Sequence, residues 1–498
     1  MTPHESDKVS LMLEDRLERG LWIALLMLVP VSSSPLLPLG SGTLIRPLAF
    51  VPAVMLLGIA AARLLSGQWP KFNPDRGCFG LLFIFTSYVI ISGLVLVAFL
   101  PDSPFKGQTP LDSMLRGLAT LAVGIIFYAI ARHKIRSVDD ALLAEKYLMI
   151  GLGISVALAV FQVVAVAAGG QLLQTAQSIT DVIAVRTAGL TSRGQGMGSE
   201  PSALAYQITL LIIPFLVARS VSRQEFVATP VHRKVALRTL MGSFLVLVGL
   251  LFAGSRFGIG SAIIIAVFST VRAVLRGRVF AAVALMGVLA LGAAGTILLR
   301  DQQLGAGSGY VVRVVPDLVE LSLPDLADVD QTAAISDLLS ISGRVVNGQA
   351  AVSMWVDYPI FGVSLGNGYR YFGKYVPDWA IDTILFAPQS EGGFWLDPYA
   401  PEKGNAKILP LRLLAETGLI GTMLFLLFAF NNIFCRDYGD RYFGALRFAA
   451  GAALCLSWLN SDTFADPAMW ILLAFCHAAG HVQEKSFEPR RSLVTQPI

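Results

Sequence analysis

Long apolar runs separated by short charged stretches make up most of this chain. Runs of about 18 or more apolar residues are the pattern of helices that cross a hydrocarbon layer roughly 30 Å thick. Twelve such spans are expected, near residues 21–38, 44–64, 77–100, 113–131, 142–168, 200–218, 237–254, 257–275, 279–299, 410–434, 443–461 and 466–483. The first carries Pro30, Pro35 and Pro38 and is the weakest of them. The pattern predicts an all-α polytopic membrane protein. It divides into an N-terminal segment (1–20), a membrane domain of nine spans (21–299), a large, partly helical loop (300–409), a second membrane domain of three spans (410–483) and a tail (484–498).

Composition agrees with this division. The 498 residues are 55% hydrophobic and 14% charged, against about 45–50% and about 25% in soluble domains. Orientation follows from where Lys and Arg fall. With the N-terminus inside, 24 of the 38 lie in cytoplasmic segments and 6 in the short outer loops. Short loops decide the vote, because long ones translocate regardless of charge. Both termini are therefore expected in the cytoplasm. The first twenty residues carry mixed charge and no small-residue cleavage site, so they are not read as a secretory signal. Cys78, Cys435, Cys455 and Cys476 form no C-x-x-C pair and read as buried thiols.

Two outer segments are too long for plain turns, 169–199 and 300–409, and loops of that length commonly carry function. The larger holds Trp355, Trp379 and Trp395, and its stretch 343–359 reads as a helix stopped by Pro359. No internal repeat is evident, which counts against a transporter.

Three outer stretches carry a family likeness. The first is Arg186-Thr-Ala-Gly189, followed by Ser199-Glu200-Pro201-Ser202-Ala203-Leu204-Ala205-Tyr206. The second is the turn Gly254-Ser255-Arg256-Phe257-Gly258. The third joins Gly343-Arg344, Trp355 and Tyr358-Pro359-Ile360-Phe361-Gly362-Val363 to Leu413-Leu414-Ala415-Glu416-Thr417-Gly418-Leu419-Ile420-Gly421. In order and spacing the chain resembles the O-antigen polymerase and O-antigen ligase superfamily, the Wzy-type membrane glycosyltransferases, over roughly residues 180 to 480. The resemblance implies a GT-C-like fold in a bacterial inner membrane, with the active site on the periplasmic face. It implies a glycan donor on undecaprenyl pyrophosphate, a sugar hydroxyl as acceptor, and neither metal nor cofactor. A flippase and a chain-length regulator are the expected protein partners, and nucleic acid is not one. Ligases of the group usually carry a histidine nine residues before the glutamate of the last motif. Here that position is Lys407, and all five histidines fall near the inner side. The polymerase branch is therefore favoured over an O-antigen ligase or protein O-oligosaccharyltransferase using the same donor, with a flippase or transporter of lipid-linked sugars as a third reading.

Such a transfer develops negative charge on a lipid pyrophosphate, and guanidinium groups stabilise it through forked, charge-assisted hydrogen bonds. Arg186, Arg256 and Arg344 come from separate outer segments and are the first candidates, followed by Arg193, Lys407 and Arg412. Arg256 interrupts otherwise apolar sequence, where its bland role is to snorkel to the headgroups. For Arg344 the bland role is a solvated residue near a helix start. Glu200 is the first candidate for a general base. Its competing role is a carboxylate close to a helix cap made by Ser199. Glu416 is the second, competing with a simple pairing to Arg412 four residues earlier. Asp462 and Asp466 are weaker candidates. Trp355 and its aromatic neighbours are expected to stack on sugar rings or to form an interfacial belt. Asp328-Val-Asp330 lies in an acidic run and reads as a solvated face rather than a metal site.

Overall fold

The structure is a computed structural model and describes residues 3–37, 46–67, 76–99, 104–185, 190, 193–222, 232–275, 332–381, 404, 406–434 and 441–486. Those residues are all-helical, without strands. In chain order the helices are α1 (Pro3–Leu28), α2 (Phe50–Leu65), α3 (Arg76–Phe99), α4 (Pro110–Lys134), α5 (Val138–Ala168), α6 (Gly170–Ile183), α7 (Pro201–Leu211) and α8 (Ile213–Ser222). They continue with α9 (His232–Ala253), α10 (Arg256–Leu275), α11 (Thr332–Asp357), α12 (Gly368–Tyr375), α13 (Asp378–Ile381), α14 (Leu409–Phe434), α15 (Arg441–Trp458) and α16 (Pro467–Ser486).

Five segments are long and apolar enough to cross a membrane: Cys78–Phe99, Pro110–Lys134, Asp139–Ala168, Pro201–Arg219 and Leu409–Phe434. Shorter apolar helices run over Phe50–Leu65, Arg238–Ala253, Phe257–Phe268 and Pro467–His477. On α3 the side chains of Phe83, Ile91, Leu94, Val95 and Phe99 point away from the protein, as do Leu240 and Phe244 on α9. A soluble protein would not display so many large apolar groups together. A helical membrane protein presents them to lipid.

Local chemistry sets the helix ends. Thr109 and Asp112 form a reciprocal capping box at the start of α4, with Pro110 at the first helical position, and Ser137 and Asp140 do the same for α5. The expected first span at 21–38 is corrected: α1 runs from Pro3 to Leu28 and stops ahead of Pro30. The strand-like residues beyond it pair with the segment before α2 through Ser34 N–H to Arg46 O at 2.8 Å and Leu48 N–H to Val31 O at 3.0 Å. The expected span at 200–218 is broken at Ile212 into α7 and α8. Pro214 explains the break, since it has no N–H and its ring clashes with the carbonyl four residues earlier. Part of the outer segment 169–199 is the helix α6. The expected span at 279–299 lies outside the described residues, as do Cys435 and the Asp328-Val-Asp330 motif. Cys78 and Cys476 are buried thiols, whereas Cys455 is exposed on the outward side of α15, a correction to the sequence expectation.

The helix α7 is the axis of the bundle. Every side chain from Leu204 to Leu211 is buried, and α5, α8, α9, α10, α15 and α16 surround it. An aromatic cluster of Tyr128, Phe425, Phe428, Phe464 and Trp470 fills the space between α4, α14 and α16. Gly124 admits Trp470 there, because a Cβ at that glycine would lie 2.0 Å from the indole nitrogen.

The polar contacts collect at two ends. At one end Arg63 reaches Glu14 and Glu18, each at 2.8 Å, and Lys134 also pairs with Glu18. Burial disfavours the Glu18 carboxylate, but Lys134 and Arg63 outweigh it and hold its pKa below the ordinary value. Glu18 therefore adds stability above the unfolded pKa, and this is lost as pH falls through the folded one. At the same end Arg219 Nη2 meets Glu145 Oε2 at 2.7 Å, with Tyr442 donating to that oxygen at 3.4 Å. All of these residues come from segments that the charge count assigns to one side. The opposite end holds the starts of α4, α7 and α10 together with α11 to α13.

The Glu145 and Arg219 side chains are 0% and 3% exposed. A buried pair loses about 3–5 kcal/mol when one partner is removed, whereas replacing both with apolar groups is often neutral. Glu145→Leu or Arg219→Leu alone is thus expected to lower the melting temperature of the detergent-solubilised protein sharply. The double variant is expected to recover most of the loss, a comparison that a thermal-shift cycle reads directly.

Candidate functional site

At the second end the chain turns back into the bundle. Residues 193–198 lie between α5 and the end of α9, and they do so because three of the six are glycine. A Cβ at Gly194 would stand 2.6 Å from Ala159 O, and one at Gly196 2.4 Å from Ser155 Oγ. Backbone placed inside an apolar bundle must find its hydrogen bonds there, and Gln162 supplies them. Its Oε1 accepts from Gln195 N–H at 3.0 Å and Gly196 N–H at 2.9 Å, while its Nε2 donates to Gly196 O at 2.9 Å and Thr180 Oγ1 at 3.1 Å. Ser155 Oγ accepts from Met197 N–H at 3.0 Å. The sequence analysis missed Gln162. A glutamine isolated in an apolar run, opposite a glycine-rich stretch, is the signal that could have found it.

This inserted segment abuts the second motif. Gly194 N–H donates to Phe252 O at 2.8 Å, and Arg193 Nε donates to Ala253 O at 3.2 Å, with the arginine stem against Gly254. Gly254 has φ of 54° and ends α9 in the left-handed conformation that glycine adopts freely. Ser255 then begins α10, its Oγ accepting from Gly258 N–H at 3.3 Å. Arg256 is the first residue of α10, where its charge opposes the helix dipole, so it is not there to stabilise the helix. Its side chain lies outside the described residues, as do all of residues 186–189 with Arg186.

Two helix N-termini converge here. Gly258 lets α10 cross α7 closely, since a Cβ on it would lie 2.6 Å from the Ala205 Cβ. At the head of α7 the cap residue is Glu200 itself rather than Ser199, with Pro201 at the first helical position. Glu200 is exposed and accepts a hydrogen bond from Ser202 Oγ. Arg344 arrives from α11, with its Cζ 6.0 Å from the centre of the Phe257 ring, within reach of a cation–π contact. Burial pulls the Arg344 pKa below its usual value, and the nearby Glu200 carboxylate partly opposes this. Among the described residues Arg344 donates no hydrogen bond. It sits mid-helix in α11, which begins at Thr332, so the expectation that it marks a helix start is corrected.

The third motif builds something different. Glu416 is buried, and its Oε2 accepts from Gly366 N–H at 2.9 Å and Arg412 Nε at 3.2 Å. Arg412 also donates to Asp462 O at 2.8 Å. Gly418 puts a kink into α14 with φ of 65°, and a Cβ there would lie 2.1 Å from Ile360 O. Val363 N–H donates to Ala415 O at 2.9 Å and Leu419 N–H to Pro359 O at 2.8 Å. Tyr88 OH closes the joint on Thr417 O at 3.0 Å. These contacts clamp the 358–366 loop onto α14. Lys407 lies just ahead of that helix, and Asp466 caps α16 by accepting from Ala468 N–H at 2.8 Å. The Trp355 indole N–H is enclosed without a partner, and the Trp379 side chain lies outside the described residues.

The sequence candidates thus divide. Arg193, Glu200, Arg344 and the backbone of Arg256 meet at the heads of α7 and α10. Glu416, Arg412 and Asp462 form a separate tie around the buried Glu416 carboxylate. Two helix N-termini with arginines beside them make a surface suited to a polyanion, and an exposed carboxylate stands at its edge. Compared with known proteins, the chain matches no family model and no curated protein.

The two glutamates are separable by experiment. Glu200→Gln should leave the melting temperature within a degree or two while abolishing any proton-abstracting activity. Glu416→Gln removes the nearer of the two carboxylates paired with Arg412, leaving only Asp462 at 3.6 Å, and should lower stability and activity together. Equal loss of stability in both variants would remove the distinction.

Proposed function

We propose that the protein is a polysaccharide polymerase that transfers a glycan from undecaprenyl pyrophosphate to the hydroxyl of an acceptor sugar at the periplasmic face of a bacterial inner membrane. In this reading about twelve spans form a GT-C-like membrane domain, both termini are cytoplasmic, and the end holding Arg344 faces the periplasm. The observation that carries the reading is Arg344. It is half-buried, stands over the first turn of α10 and faces Glu200, yet it spends none of its donors on the described protein. A guanidinium kept half-desolvated in that state calls for an anion from outside, and its forked donors fit a pyrophosphate.

The lipid part of such a donor needs apolar surface next to the anion grip. Val345, Val352 and Val356 provide it as an outward-facing stripe on α11, beginning one residue from Arg344. The reaction is then a single displacement. Glu200 takes the proton from the acceptor hydroxyl, the oxygen bonds to the anomeric carbon with inversion, and the bond to the pyrophosphate oxygen breaks. Arg344, Arg193 and Arg256, with Arg186 from the neighbouring segment, receive the charge that develops on the leaving group. A flippase delivers the lipid-linked donor, and a chain-length regulator is the second partner.

Reconstitution in liposomes with lipid-linked repeat units tests this. The expected result is longer glycan with an equivalent amount of free undecaprenyl pyrophosphate. Arg344→Lys keeps the charge but loses the fork, and is expected to lower turnover by about 10²-fold or more. Lipid-linked sugar moving between leaflets with no new glycosidic bond would overturn the proposal.

A further inference from the structure

Asn347 is the most anomalous side chain on α11. It is 0% exposed, yet among the described residues neither its Nδ2 nor its Oδ1 meets a hydrogen-bond partner. An amide offers two donors and two acceptor lone pairs. Leaving such groups buried and unpaired forfeits their hydration with nothing in return, a loss that an apolar side chain of similar size would not incur. The residue lies one turn beyond Arg344. Trp355, with an enclosed and unpaired indole N–H, lies on the same face two turns further. At the helical rise, Asn347 is about 4.5 Å and Trp355 about 16 Å along the axis from Arg344.

One face of α11 therefore carries, in order, a cation, a neutral amide and an aromatic ring with a free donor. An anion joined to a neutral chain of hydroxyls would satisfy all three, and a glycosyl pyrophosphate has that construction. An amide complements a pair of neighbouring hydroxyls or an acetamido group, and an indole combines a flat apolar face with a polar edge. We propose that Asn347 binds the sugar adjacent to the pyrophosphate, so that this face of α11 selects the donor glycan. The inference rests on the reading of Arg344 as the phosphate grip and adds a residue that recognises the glycan. Because Asn347 is enclosed, donor entry requires α11 to shift in its packing. Beside Asn347 the helix packs through apolar groups, with Val346, Ala350 and Met354 clustered with Ala406 and Ala415, and Gly348 against Leu411. No hydrogen bond or ion pair of Asn347 has to break.

The test uses the full-length protein in nanodiscs and two probes, undecaprenyl pyrophosphate without sugar and the lipid-linked repeat unit extracted from cells lacking this protein. Asn347→Leu should bind the sugar-free lipid as the unaltered protein does and bind the repeat unit at least about tenfold more weakly, the loss of one good hydrogen bond. Its melting temperature should hold or rise, because an unpaired buried amide has been removed. Asn347→Ala gives the same comparison if leucine overfills the site. Unchanged affinity for both probes overturns the role of Asn347 and leaves the phosphate grip standing. Failure of the unaltered protein to bind either probe overturns the phosphate grip, and this inference with it.

Discussion

The end of this protein that holds Arg344 depends on one side chain, Gln162, holding a piece of irregular backbone inside the bundle. A chain this apolar has few ways to place loop backbone below its surface, because unsatisfied N–H and C=O groups there cost several kcal/mol apiece. Gln162 engages Gln195, Gly196 and Thr180 at once. With that segment pinned, Arg193 is held on the last carbonyl of α9 and the Gly254 turn is fixed from both sides. The geometry at the heads of α7 and α10 follows from these contacts rather than from the propensities of the helices themselves.

The central position of α7 has a second consequence. A helix buried on all sides cannot tilt without repacking six neighbours, so the carboxylate at its head is placed by the whole bundle. Glu200 is exposed, but the backbone that carries it is among the most enclosed in the protein. The break at Ile212 lets this axis end in α8, where Arg219 ties it to Glu145 at the opposite end. The same continuous element is thus held by a buried ion pair below and carries a solvent-facing acid above. This arrangement keeps the carboxylate in register with α10 and α11 while leaving it exposed.

Much of this was legible in the sequence, for reasons that can be stated residue by residue. Runs of apolar residues marked the long membrane helices, although α4 and α5 begin at Pro110 and Val138, a few residues ahead of the expected spans 113–131 and 142–168. Periodicity could not show that α7 stops at Ile212, because Pro214 is tolerated in membrane helices when neighbours take up the freed carbonyls. It could not show α6 either, since a short amphipathic helix in an outer loop leaves no long apolar run. For the site, Glu200, Arg256 and Arg344 stood out as members of the three outer-side motifs, Arg256 also because it interrupts apolar sequence, and the helices bring their segments together. Gln162 and Asn347 stayed hidden. Each is a neutral amide in a helix, and only the tertiary structure reveals that one is fully partnered and the other has no partner.

That contrast separates packing from chemistry in the conspicuous motifs. The glycines at 362, 366 and 418 and the acid at 416 look functional in sequence, yet each is accounted for by a contact: backbone against backbone at Ile360 and Ala415, and a carboxylate shared by Gly366 and Arg412. Those contacts give each of them a structural role. Arg344 is not explained in this way, because a half-buried guanidinium with unspent donors lowers stability unless something else completes it. Other buried polar atoms without partners among the described residues, such as those of Ser32 and Gln207, are scattered through the bundle; on α11 two such groups, at Asn347 and Trp355, stand within about three turns of Arg344, and packing does not account for that grouping.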